Sequence, residues 1–133
     1  MKKTAVDTNI LARLLAEEPG AEARYAEALL SSGRIYVSKS VLLETEWVLR
    51  TALKIKRQDV VRMMLSMLEI DRIDLECAAQ VAVAIAAFRQ GMDFGDALHV
   101  VSASDADGFV TFDRDLVKLA NRHMNEISVE LAQ

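Results

Sequence analysis

Cysteine and proline are close to absent from this chain: one of each stands among 133 residues, as Cys77 and Pro19. A single cysteine excludes an internal disulfide framework and any cysteine-cluster metal site, and it fits a reducing compartment. With one proline and five glycines, no Pro/Gly-rich linker is present, and no repeat or low-complexity tract divides the chain. Seven aromatic residues (one Trp, two Tyr, four Phe) are too few for extensive base stacking to be a main mode of binding. Long apolar runs are missing as well. The longest, Cys77 to Phe88, contains Gln80 and is too short to span a bilayer. The stretch behind Met1-Lys2-Lys3 is broken by Asp7, Asn9 and Arg13, so no secretory core forms. These absences predict a soluble, cytoplasmic protein with no membrane segment.

What is present describes a folded domain. Hydrophobic residues make up 52% and charged residues 27%, which excludes disorder. At this length residues 1–133 read as a single domain, one that buries about two-thirds of its unfolded surface. The net charge of -4 argues against a protein coated in basic groups. The charge is unevenly spread, however: -1 over residues 1–33, +3 over 34–72 and -6 over 73–133. A basic middle third next to an acidic C-terminal half is either a pair of solvated faces or a basic wall beside an acidic pocket.

Apolar patterning alternates between the two periods. Lys3–Val6 reads as a buried strand, followed by helical spacing over Thr8–Ala16 and Ala21–Ser32, with Gly33 placed for a left-handed cap. Arg34–Val37 is β-prone, and Ser38 is a fair N-cap for a long helix from Lys39 to about Ile55. Asp59–Leu68 is a further helix. A strand near Arg72–Leu75 then leads to an Ala-rich helix over Glu76–Gln90, stopped by Gly91. Asp93 caps the next helix, expected to run to about Ala106. Phe109–Phe112, Asp113–Arg122 and Ile127–Leu131 read as strand, helix and strand. Strands alternating with helices predict an α/β fold: a central parallel sheet of four or five strands between two helical layers.

Ligands of such sheets bind beyond the carboxyl ends of the strands. Two strands here end directly in a carboxylate, Val6-Asp7 and Phe112-Asp113, with Thr8, Asn9 and Thr111 as polar neighbours. Each Asp has a plainer role available, as a helix N-cap. Asp93 and Asp96 stand three apart, as in a capping box. Capping suits Asp93, but Asp96 sits among Phe94, Ala97, Leu98, Val100 and Val101, where a carboxylate needs a cation, a partner or a proton. On the long helix, Glu44 and Glu46 fall on opposite edges of the stripe of Val41, Leu42, Val48, Leu49, Ala52 and Leu53, and periodicity does not choose between them. Leu43 and Trp47, one turn apart, point away from that stripe as a second apolar surface.

Four segments together are distinctive. Val6-Asp7-Thr8-Asn9-Ile10, Leu42-Leu43-Glu44-Thr45-Glu46-Trp47-Val48-Leu49, Asp93-Phe94-Gly95-Asp96-Ala97-Leu98 and Val110-Thr111-Phe112-Asp113-Arg114-Asp115-Leu116 resemble, in order, the motifs of PIN-domain ribonucleases. Within that family they look most like VapC-type toxins of bacterial toxin–antitoxin pairs. The resemblance covers nearly the whole chain. It implies a three-layer PIN-like domain and selects Asp7, Glu44, Asp96 and Asp113 as the acidic quartet, supported by Thr8, Asn9 and Thr111. Asp93 and Asp115 are possible extra acids, either at the pocket's edge or simply capping.

Four carboxylates in one pocket repel one another unless a cation or protons intervene. Oxygen-only donors point to Mg²⁺, with Mn²⁺ as a substitute, rather than Zn²⁺. Asp7 and Asp96 are the expected direct ligands, with Glu44 and Asp113 binding directly or through water. His99 and His123 are poorly suited to metal-free acid–base cleavage: His99 reads as a core residue and His123 as a solvated one. Candidate RNA contacts are Arg50, Lys54, Lys56 and Arg57, taken to close the long helix, and Arg114 beside Asp113. Their charges also suit a helix C-terminus.

Met63, Met64 and Met67 read by default as core. Together with Leu43 and Trp47 they also suit a homodimer contact or a groove for an antitoxin segment. The resemblance implies that partner, a VapB-like antitoxin whose Arg or Lys reaches the acidic pocket. Two other readings are open to such a sequence. A phosphotransfer receiver needs a Lys after a late strand, and Lys118 lies well inside a helix. A non-catalytic α/β binding module would use its acids only as caps. Setting the quartet aside leaves sixteen acids against sixteen bases, so the net charge does not exclude RNA.

Overall fold

In the computed structural model, which describes all 133 residues, strand β1 (Lys2–Ala5) lies parallel to β2 (Gly33–Val37), and β2 lies parallel to β3 (Ile73–Leu75). Parallel neighbours need a crossover connection. Helices α1 (Thr8–Leu15) and α2 (Ala21–Ser32) carry the chain from β1 to β2; α3 (Lys39–Thr51) and α4 (Arg57–Leu68) carry it from β2 to β3. The register sets Lys3 opposite Arg34 and Tyr36 opposite Asp74. Ile35 and Val37 of β2 are buried with Leu11, Leu42, Leu49, Val60, Met64 and Met67 in the core of this first compact unit, residues 1–78. Asp74 ties the three strands together: it accepts from Arg34 Nε at 2.8 Å and Nη2 at 2.9 Å, and it pairs with Lys3 Nζ at 3.1 Å.

The second compact unit, residues 79–133, begins in the first turn of α5 (Ala78–Arg89). It continues through α6 (Phe94–Val101), β4 (Phe109–Thr111), α7 (Arg114–His123) and β5 (Val129–Leu131). Strands β4 and β5 form a parallel pair joined by α7. The rings of Phe88 and Phe94 meet edge to face, with centroids 5.5 Å apart, in a core completed by Ile85, Met92, Leu98 and Val100. The α/β class and parallel pairing agree with the sequence expectation. The expected four or five sheet strands are found as a parallel three-stranded sheet in one unit and a parallel pair in the other. No helix is long and apolar enough to cross a membrane.

Several boundaries differ from those read in the sequence. Helix α3 stops at Thr51, not Ile55, because the chain turns through Lys54 in the left-handed region at φ 55°. Helix α6 ends at Val101, well short of Ala106, where Ser102, Ser104, Asp105 and Gly108 supply turn chemistry. Gly33 does close α2, but its backbone is extended (φ -170°) and belongs to β2. The glycine there allows a close approach of strands: a Cβ would overlap the Lys2 carbonyl oxygen. Gly91, at φ 114°, is the glycine that uses its conformational freedom.

Candidate functional site

Asp7 is fixed by the start of α1. It is the N-cap, and its Oδ1 accepts the Ile10 N–H at 3.2 Å. Its second carboxylate oxygen remains uncommitted. Thr8 is half-buried as the first helical residue, and Asn9 beside it is exposed. Ser38 caps α3 as expected, accepting from the Val41 N–H at 3.2 Å. On that helix the two glutamates separate clearly. Glu46 is 3% exposed and paired with Arg50 Nε at 2.8 Å, whereas Glu44 faces solvent.

In the second unit three carboxylates influence one another. Asp93 caps α6, accepting the Asp96 N–H at 3.0 Å. Asp113 caps α7: its Oδ1 takes the N–H groups of Asp115 and Leu116 at 3.0 and 3.1 Å. Thr111 Oγ1 accepts the Asp113 N–H at 3.0 Å, which orients the Asp113 backbone. Asp96 lies in the first turn of α6, half-buried. Burial pushes its carboxyl above the usual Asp range; the charges of Asp93 and Asp113 push the same way, and His99 opposes them. Burial and like charge together thus disfavour its ionised form more than His99 favours it. Asp115 is exposed in the first turn of α7.

Asp7 and Glu44 thus belong to the first unit, Asp96 and Asp113 to the second. Neither unit by itself gathers three His, Cys, Asp or Glu side chains at metal-ligating distance. The donor chemistry fits a hard divalent cation: all four groups are carboxylates, and the caps on Asp7 and Asp113 each engage a single oxygen. His99 is exposed rather than core.

The basic candidates do not form the expected run closing one helix. Arg50 is on α3 and holds Glu46, Lys54 is in the turn, and Lys56 and Arg57 begin α4. Lys54 and Lys56 line an open cleft with Met63 and Ile70. Arg114 is exposed at the start of α7. Met64 and Met67 are fully buried and offer no surface, leaving Met63 half-buried.

The PIN domain family matches residues 4–122, a span that takes in all four candidate acids and most of each compact unit. The chain belongs to the PIN domain family. Among curated proteins none matches it. PIN domains are usually metal-dependent nucleases, so the class of this domain is nuclease-like, with nucleic acid as the substrate class and a divalent ion as the usual cofactor.

Proposed function

We propose that this PIN domain is a Mg²⁺-dependent endoribonuclease, the toxin of a VapC-type toxin–antitoxin pair. In this reading Asp7, Glu44, Asp96 and Asp113 form its metal site. The observation that carries the proposal is the perturbed carboxyl of Asp96, raised by burial and by Asp93 and Asp113, inside a chain of the PIN family. A half-buried carboxylate with two like charges acting on it is one that a bound cation would stabilise.

The residues divide the work by how each is held. Asp7 and Asp96 would be the direct ligands. Asp7 keeps a fixed orientation because its cap immobilises one oxygen, and Asp96 is the acid with most to gain from a positive neighbour. Glu44, exposed and unpaired, positions the attacking water and accepts its proton at a carboxylate oxygen. Asp113 completes the set directly or through water, steadied by Thr111. Asp93 and Asp115 are supporting acids that cap or flank these helices. A bound Mg²⁺ or Mn²⁺ would supply Lewis acidity for in-line displacement at the phosphodiester, leaving a 3′ oxygen. Lys54, Lys56, Arg57 and Arg114 are proposed to contact phosphates. A VapB-like antitoxin and a homodimer are the proposed partners.

A second reading takes the acids only as caps of a binding module, and the caps on Asp7, Asp93 and Asp113 favour it. Capping engages one oxygen of each and does not exclude metal binding. Titration with Mn²⁺ decides between the readings: the wild type should bind, and an Asp7→Asn/Asp96→Asn double variant should not. Equal binding by both would leave the cap-only reading standing. Induced expression of wild type and Asp7→Ala, with mapping of cellular RNA 5′ ends, tests the toxin role. New ends and arrested growth are expected with the wild type alone.

A further inference from the structure

Helix α3 presents one exposed stripe. At about 100° per residue, Ser40, Glu44, Trp47 and Thr51 fall on the same side, and all four are exposed. Trp47 is 58% exposed, three residues beyond Glu44 and therefore its neighbour on the helix surface. An exposed Trp of this kind ordinarily marks an apolar protein contact. The surroundings do not support that here. Its neighbours on the stripe are polar, Leu43 and Met63 are only half-exposed, and Met64 and Met67 are fully buried. What remains is a single aromatic face set in polar surface, one turn from a proposed active-site acid. Beyond the end of α3 lie the exposed Lys54 and Lys56, neither of which enters an ion pair.

This combination suits a nucleobase better than a protein. Every base has a π face that can stack on an indole, the cations in the turn after α3 attract the phosphate chain, and the polar residues of the stripe exclude neither. We infer that Trp47 is a stacking platform for an unpaired base of the RNA substrate, held beside Glu44. The inference rests on the ribonuclease reading. The base must be unpaired, because a base within a duplex has its faces covered.

Trp47 is the only tryptophan in the chain, so its own emission reports the contact without any need for turnover. Titrating the metal-free protein with single-stranded oligo(U) should quench that emission, and a duplex RNA of equal charge should quench it far less. Trp47→Ala should raise KM for a single-stranded RNA by about tenfold or more, while Trp47→Phe restores most of the loss and Mn²⁺ binding stays unchanged.

Unaltered emission with oligo(U), or a Trp47→Ala variant with wild-type KM, overturns the inference. So does a Trp47→Ala variant that changes only its sedimentation, which would give the residue to a protein interface. Quenching without any metal-dependent cleavage would uphold the platform and remove the nuclease. Cleavage without quenching would do the reverse.

Discussion

Arg50 holds the carboxylate of Glu46 one turn back on α3, with Nε 2.8 Å from Oε2, and the pair leaves Glu46 almost wholly buried. This contact separates two glutamates that look alike in sequence. Glu46 has a structural partner, and Glu44 has solvent. Removing Arg50 strands a buried charge, a change that costs about 3–5 kcal/mol in fully buried pairs. Because Arg50 is itself partly exposed, Arg50→Ala should cost less, on the order of 1–3 kcal/mol. Glu44→Gln, at an exposed position, should stay within about 0.5 kcal/mol of wild type. Urea unfolding measures both. Glu44→Gln should nevertheless lose nearly all nuclease activity.

The Lys3–Asp74–Arg34 cluster makes a pH-dependent contribution with a definite sign. The hydrogen bond from Arg34, then that from Lys3, holds the Asp74 carboxyl well below the usual carboxylate range. A group whose folded pKa is depressed stabilises the fold above its unfolded pKa and loses that effect as pH falls towards the folded value. Asp74→Asn should therefore lower the unfolding midpoint at pH 7. The gap from wild type should narrow progressively below the ordinary Asp range near 4. Raising the salt should shrink the effect at pH 7, because the groups are partly exposed. A gap that persists at low pH would assign the effect to packing instead.

Gly33 is the most sensitive backbone position in the first sheet. Its missing Cβ makes room for the Lys2 carbonyl of β1, and β1 leads directly to Asp7. Gly33→Ala should push β1 away from β2, with an overpacking cost of about 1–3 kcal/mol. It should also weaken Mn²⁺ binding through the displacement of Asp7. Calorimetric metal titration of the folded variant separates the two effects.

These positions also show how far the sequence could be read. The alternation of apolar runs was sufficient for the α/β class, because a parallel strand and an amphipathic helix have different periods. The caps at Asp7, Ser38, Asp93 and Asp113 could be read for the same local reason. The end of α3 could not: the turn uses Lys54 at positive φ, and nothing in a lysine announces that conformation. Gly33 reads in the sequence as a helix stop, but its role in the fold depends on a neighbouring strand far away in sequence. His99 could have been placed correctly. Stepping around α6 sets it opposite Phe94, Ala97, Leu98 and Val101, the apolar side, and it is indeed exposed. The likeness to a family favoured Glu44 over Glu46, and the cause of the difference, the Arg50 contact, is an i,i+4 pair that was present in the sequence.

Asp96 allows the metal hypothesis to be examined without an activity assay. Its carboxyl is raised by burial and by the charges of Asp93 and Asp113. An acid with a raised folded pKa favours folding when protonated and opposes it once pH rises past that value. In metal-free protein at pH 7, the ionised Asp96 is therefore a destabilising group, and Asp96→Asn should raise Tm. That gain should fade as the pH is lowered and wild-type Asp96 takes up its proton. Adding Mg²⁺ or Mn²⁺ should reverse the ranking: an ion bound only to the folded state stabilises by mass action. The wild type should then gain Tm with increasing metal while Asp96→Asn stays flat. If Asp96→Asn lowers Tm without metal, the carboxylate has a partner and is structural. If it raises Tm but wild type ignores the metal, the carboxylate is strained and the metal hypothesis fails.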